Sequence, residues 1–183
     1  MESVKDKKVL IDTNILVYCA DSGYGSKAKA LLRKLKDNGN ALATSEISCF
    51  ELIKNAIDSG VREYYIRLMN YIDRIPVTSA EMMNGAILYH NYHHVSNGNG
   101  SFKKIESPDL IISGTVIRER GSLLLTANRV DFPMPFWKLH SQCNFMRKSG
   151  EKDELVNIFL LEFDYSKIKE IDDLKSPHRK AAL

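Results

Sequence analysis

Val9-Leu10-Ile11 is a short, branched apolar run closed by Asp12, and Thr13-Asn14 and Ile15-Leu16-Val17-Tyr18 follow it directly. Such a run predicts a strand buried on both faces, and the pattern after Asn14 becomes helical. A strand feeding straight into a helix commits the chain to an α/β architecture with a parallel sheet. It also seats Asp12 at the carboxyl end of the first strand, where open α/β sheets build their sites.

The rest of the chain continues the alternation. A basic helix through Ala28, Leu31, Leu32 and Leu35 follows the break at residues 21–26, and Asn38-Gly39-Asn40 turns the chain. Ala41-Leu42-Ala43-Thr44 fits a second strand, and Ser45 is placed to cap a helix carrying Ile47, Phe50, Ile53 and Ile57 up to Gly60. A helix over 61–72, an extended piece at 75–77 and a helix over 80–91 capped by Ser79 come next. Residues 92–107 are polar and hold Asn97-Gly98-Asn99-Gly100, the composition of a loop. Ser107-Pro108 announces a further helix, Ser as N-cap and Pro at the first helical position, running to Gly121. Leu155 to Phe163 reads as a late strand at a sheet edge.

Length and composition bound this picture. At 183 residues, 44% hydrophobic and 27% charged, the chain fits one globular domain with a sizeable core. The expectation is a single domain over 1–163 with a polar tail at 164–183. Cys19, Cys49 and Cys143 lack metal-ligand spacing and read as reduced thiols. No apolar window has signal-peptide or membrane-spanning length, so a cytoplasmic protein without a membrane segment is expected. The net charge of +3 is too mild to name a partner.

The chemistry is in the acids. Asp109 falls in the first turn of its helix, Glu51 beside Phe50 at the margin of an apolar stripe, and Asp131 after the apolar run 123–125. Singly, each has an ordinary explanation: helix-end stabilisation, a salt bridge, a turn. Jointly they are costly. Two unit charges about 4 Å apart repel by about 4 kcal/mol at an effective dielectric of roughly 20. Several acids at one sheet end call for a hard divalent cation, Mg²⁺ or Mn²⁺, which prefers oxygen ligands and suits phosphodiester hydrolysis.

Four segments carry a resemblance: Val9-Leu10-Ile11-Asp12-Thr13-Asn14-Ile15-Leu16, Ser48-Cys49-Phe50-Glu51-Leu52, Pro108-Asp109-Leu110-Ile111-Ile112, and Leu124 through Phe132. In that order they resemble the signature blocks of PIN domains, over about residues 8–132. The resemblance implies a three-layer α/β/α fold with a central, mainly parallel sheet, and metal-dependent cleavage of RNA. Many such relatives are toxins of the VapC type held by an antitoxin. It maps Asp12, Glu51 and Asp109 as catalytic, metal-holding acids, with Thr13, Asn14, Thr126 and Asn128 orienting them; at the fourth position either Asp131 takes over or the site holds metal less tightly. Asn128 stands where many relatives have Asp, and the chain runs on well past the last block. A non-catalytic RNA- or protein-binding domain with a degenerate metal site is the alternative, and a DNA nuclease ranks third.

Lys103, Lys104 and Arg129 are candidates for RNA contacts. His90, His93 and His94, interleaved with Tyr89 and Tyr92, read as a solvated helix end ahead of a soft-metal site or stacking surface. Phe136 and Trp137 read as core or interface, and a homodimer is a reasonable expectation.

Overall fold

The structure, a computed structural model, describes residues 4–96, 105–132, 136–149 and 152–167. Its framework is a six-stranded sheet in the order β3-β2-β1-β4-β6-β5. These are β1 (Lys8–Ile11), β2 (Ala41–Ser45), β3 (Asp73–Ile75), β4 (Leu123–Thr126), β5 (Trp137–Ser149) and β6 (Lys152–Phe163). β1 lies between β2 and β4 and is parallel to both, with Val9 opposite Leu42 on one side and Leu123 on the other. β3 joins β2 in parallel, while β6 pairs β4 and β5 antiparallel.

Strand geometry sends alternate side chains to opposite faces, and the core divides accordingly. Val9, Ile11, Leu123 and Leu125 join α1 (Thr13–Ala20), α2 (Gly25–Asp37), α3 (Glu46–Lys54) and α4 (Ser59–Met69) in one buried cluster. Leu10 and Leu124 join α5 (Ser79–Ser96) and α6 (Ser107–Arg118) in the other. The result is the expected three-layer α/β/α sandwich. Strands covered on both faces need no polar alternation, which is why β1 and β4 read as unbroken apolar runs.

Two glycines set the crossing of α5 and α6. A Cβ on Gly114 would stand 2.1 Å from the Glu81 carbonyl oxygen, and one on Gly85 would stand 2.6 Å from that of Leu110. The helices therefore pack backbone to backbone, which fixes the amino end of α6. Glu81, fully buried, secures the same crossing: it accepts from the Thr78 N–H at 2.8 Å and from the Arg118 guanidinium.

Several boundaries differ from expectation, for local reasons. The third helix stops at Lys54 because Asp58, whose side chain accepts from Val61 N–H at 2.8 Å, starts a new one in which Gly60 is an early residue. Thr78 rather than Ser79 caps α5, reciprocally with Glu81. That helix continues to Ser96, so residues 92–96 of the expected loop are helical; 97–104 lie outside the described residues. Glu106 is the N-cap of α6, and Ser107 and Pro108 are its first residues. Phe50 is not on a buried stripe; it is 61% exposed, and Ser48 and Leu52 face inward.

The expected late strand exists, but it is not at the edge. β6 lies between β4 and β5, and β5 is the edge strand on that side of the sheet. Thr126, the last residue of β4, pairs with Phe159, so residues 152–158 of β6 and their β5 partners extend past the carboxyl end of β4. Trp137, fully buried, donates to the Tyr92 hydroxyl at 3.0 Å and packs edge-on against Phe132 and Phe163. Tyr92 is thus core, not part of a stacking surface. His93, His94 and residues 168–183 of the tail have no described side chains, while Tyr165–Lys167 form a 3-10 turn.

Gly114→Ala forces backbone apart at the helix crossing and is expected to cost about 3 kcal/mol, the upper end for overpacking. Asp58→Ala, which removes only a cap, is expected to cost about 1 kcal/mol. Urea unfolding followed by circular dichroism separates the two.

Candidate active site

Parallel register puts Asp12 at the sheet's carboxyl edge. Its backbone N–H continues the ladder to Leu125 O at 3.0 Å, and the chain then turns into α1. The carboxylate is 2% exposed and accepts at Oδ2 from Asn14 Nδ2 and Thr126 Oγ1, both at 2.6 Å. Asn14 is itself held, its Oδ1 accepting from Ala127 N–H at 3.0 Å. Thr126 Oγ1, buried at the end of β4, accepts in turn from the Asn128 N–H at 3.0 Å. The hydroxyl's single proton therefore goes to Asp12 while its lone pairs take neighbouring N–H groups, which leaves it no freedom to rotate.

Glu51 reaches the same place from α3. Its Oε2 accepts from Thr13 Oγ1 at 2.7 Å, so the residue after Asp12 orients the acid of another helix. Asp109 comes from the first turn of α6, whose position the Gly85 and Gly114 contacts dictate. Asp131, 5% exposed, follows β4 in a 3-10 turn and accepts from the Asn128 side-chain amide.

One open cleft of about 280 Å³ is lined by Asp12, Thr13, Asn14, Val17, Glu51, Glu106, Asp109, Asn128 and Asp131. All four expected acids line it, as do three of the four expected orienting residues; Thr126 lies beneath, bonded to Asp12. Of the candidate RNA contacts, Arg129 is turned aside, its guanidinium over the Phe159 ring at 5.8 Å, and Lys103 and Lys104 lie outside the described residues. Sequence reading missed Glu106 and Val17. The signal for Glu106 was its place directly before Ser-Pro, where an acid at a helix start faces the same end of the sheet as Asp109.

The lining includes five carboxylates and no Lys, Arg or His. Burial, and then the charges of Asp12, Asp131, Glu51 and Glu106, push the Asp109 carboxyl up to about 8. Burial likewise raises Asp12 to about 6, against the opposing hydrogen bonds from Thr126, the Thr13 backbone and Asn14. Oxygen donors with no counter-charge fit a hard divalent cation. Among the described residues no three Asp, Glu, His or Cys side chains stand in ready-made metal-holding positions.

No family model and no curated protein matches the sequence. Solved structures do. A chain in the crystal structure of VapBC2 from Rickettsia felis bound to a promoter DNA fragment matches with a TM-score of 0.53 and 20% identity, over 68% of this chain and 90% of that one. A chain of a toxin–antitoxin complex from Klebsiella pneumoniae matches with a TM-score of 0.53 and 24% identity, over 69% and 92%. The class the fold defines is therefore a three-layer α/β/α domain, and the chains it is similar to come from VapBC and toxin–antitoxin assemblies. Among the described residues no helix is long and apolar enough to cross a membrane.

The raised Asp109 value fixes a sign. Between its ordinary value near 4 and about 8, the folded protein holds a proton that the unfolded chain has released. Metal-free stability therefore falls as pH rises through that window. Asp109→Asn is expected to flatten the fall and to add about 1–2 kcal/mol at pH 8.5, allowing for screening at a partly exposed group. Melting curves in EDTA at pH 5 and pH 8.5 measure both effects.

Proposed function

We propose that this protein is a metal-dependent endoribonuclease, hydrolysing RNA phosphodiester bonds at the acidic cleft. The observation that carries the reading is five carboxylates on one cleft without a basic group among the lining residues. A structural role for that many acids would leave their repulsion uncompensated, whereas a cation-dependent site uses it.

Asp12, Glu51, Asp109 and Asp131 would hold the ion, Mg²⁺ or Mn²⁺. When bound, such an ion supplies an activated water and neutralises charge on the phosphate. The chain's own groups prepare this. Thr126 and Asn14 hold Asp12 with its second oxygen, Oδ1, turned from their bonds at Oδ2, and Thr13 fixes Glu51. Raised proton affinity at Asp109 lets that carboxyl take up a proton when the ion is absent and release it on loading. Arg129 would have to leave the Phe159 ring to meet a phosphate backbone, and Lys103 and Lys104 are proposed to act alongside it.

The likeness to chains of toxin–antitoxin assemblies supports a toxin role, with an antitoxin protein as partner. A homodimer and a cytoplasmic setting complete the proposal. The second reading, a PIN-type RNA- or protein-binding domain without catalysis, is favoured by Asn128, which contributes no charge where many PIN domains have an acid.

Labelled mixed-sequence single-stranded RNA, with a DNA of the same sequence, tests the proposal in Mn²⁺, in Mg²⁺ and in EDTA. Cleavage of RNA is expected with either metal and not in EDTA. Asp12→Asn and Asp109→Asn are expected to lower it by roughly 10²-fold or more, and Thr126→Val by roughly 10–100-fold. Equal activity in the acid variants would refute the assignment, and RNA binding without cleavage would establish the second reading.

A further inference from the structure

Asn128 is the residue at which this chain departs from the acidic pattern it resembles, and its surroundings give the departure a purpose. Its side-chain amide nitrogen donates to Asp131 Oδ2, and its backbone N–H donates to Thr126 Oγ1 at 3.0 Å. Thr126 Oγ1 in turn donates to Asp12 Oδ2 at 2.6 Å. One continuous run of hydrogen bonds thus connects the acid at the end of β1 to the acid three residues beyond Asn128. A carboxylate can only accept, so an amide at 128 can hold a carboxylate at 131, whereas a carboxylate at 128 would meet it with like charge.

Burial points the same way. Asp131 is 5% exposed yet lines the cleft, so its orientation is set by neighbours rather than by solvent. The 3-10 turn Arg129–Asp131, closed by Asp131 N–H to Asn128 O at 3.3 Å, brings the two side chains to the same side.

We infer that Asn128 is a positioning residue that holds Asp131 as the fourth ion-holding carboxylate, so that the acidic position has moved along the chain and has not been lost. The inference rests on the cation-site reading above. Asn128 acts through Asp131 and has no affinity for the ion of its own.

A double-mutant cycle on Mn²⁺ binding tests this, read by calorimetry on the full chain at one pH. Asn128→Ala and Asp131→Asn are each expected to weaken Mn²⁺ binding by roughly 10-fold, in the range for groups that orient metal ligands. The double variant is expected to bind no more weakly than Asp131→Asn alone, since the amide then has nothing to position. Melting temperatures in EDTA track folding, and if Asn128→Ala lowers them substantially, Asn128→Ser runs the same cycle. Additive losses would make Asn128 an independent ligand and overturn the inference, as would unchanged affinity in either single variant. Uptake that is lost in Asp12→Asn but indifferent to both changes would overturn this assignment alone. A wild-type protein that takes up no Mn²⁺ would overturn the cation site and the assignment with it.

Discussion

Like charges gathered at the carboxyl edge of a parallel sheet are the constraint around which this molecule is arranged. Asp12 has to be at the end of β1, because the ladder to Leu125 continues through its own N–H and the chain turns into α1 immediately afterwards. Every other acid comes to Asp12 from a different element: Glu51 from α3, Glu106 and Asp109 from the start of α6, Asp131 from the turn after β4. Their mutual repulsion is visible in the elevated Asp109 carboxyl, whose causes after burial are its acidic neighbours.

What holds such a cluster in place is uncharged. Hydroxyls and amides, from Thr13, Asn14, Thr126 and Asn128, satisfy one oxygen of each partner acid without neutralising it. Farther out, the glycine-mediated crossing of α5 and α6 and the pairing of buried Glu81 with the exposed Arg118 place the amino end of α6. For Glu81, burial works to raise its carboxyl, but the hydrogen bonds from Thr78 and Arg118 prevail and hold it down to about 2. That acid is thereby a fixed strut, in contrast to the uncompensated acids of the cleft.

Much of this was legible in the sequence because local signals and tertiary demands agree there. Val9-Leu10-Ile11 and Leu123-Leu124-Leu125 are buried on both faces, and their unbroken apolar character says so. The four acids were found through their neighbours in short motifs. Failures occurred where a tertiary contact overrides the local pattern. Phe50 sits at a helical spacing that suits a core stripe but faces solvent, since the elements that face α3 meet Leu52. β5 eluded the pattern because an edge strand with one exposed face carries Lys138, His140, Gln142 and Asn144 among its residues. Glu106 was hidden by a one-residue misplacement of the cap of α6.

The central claim, that the cleft is a set of carboxylates awaiting a counter-charge, is tested most directly by titrating the Asp109 side-chain carboxyl with ¹³C NMR in metal-free protein and again with saturating Mg²⁺. The account predicts a midpoint near 8 without metal and a large fall when Mg²⁺ is present. A midpoint at the ordinary carboxylate value, unmoved by Mg²⁺, would contradict it.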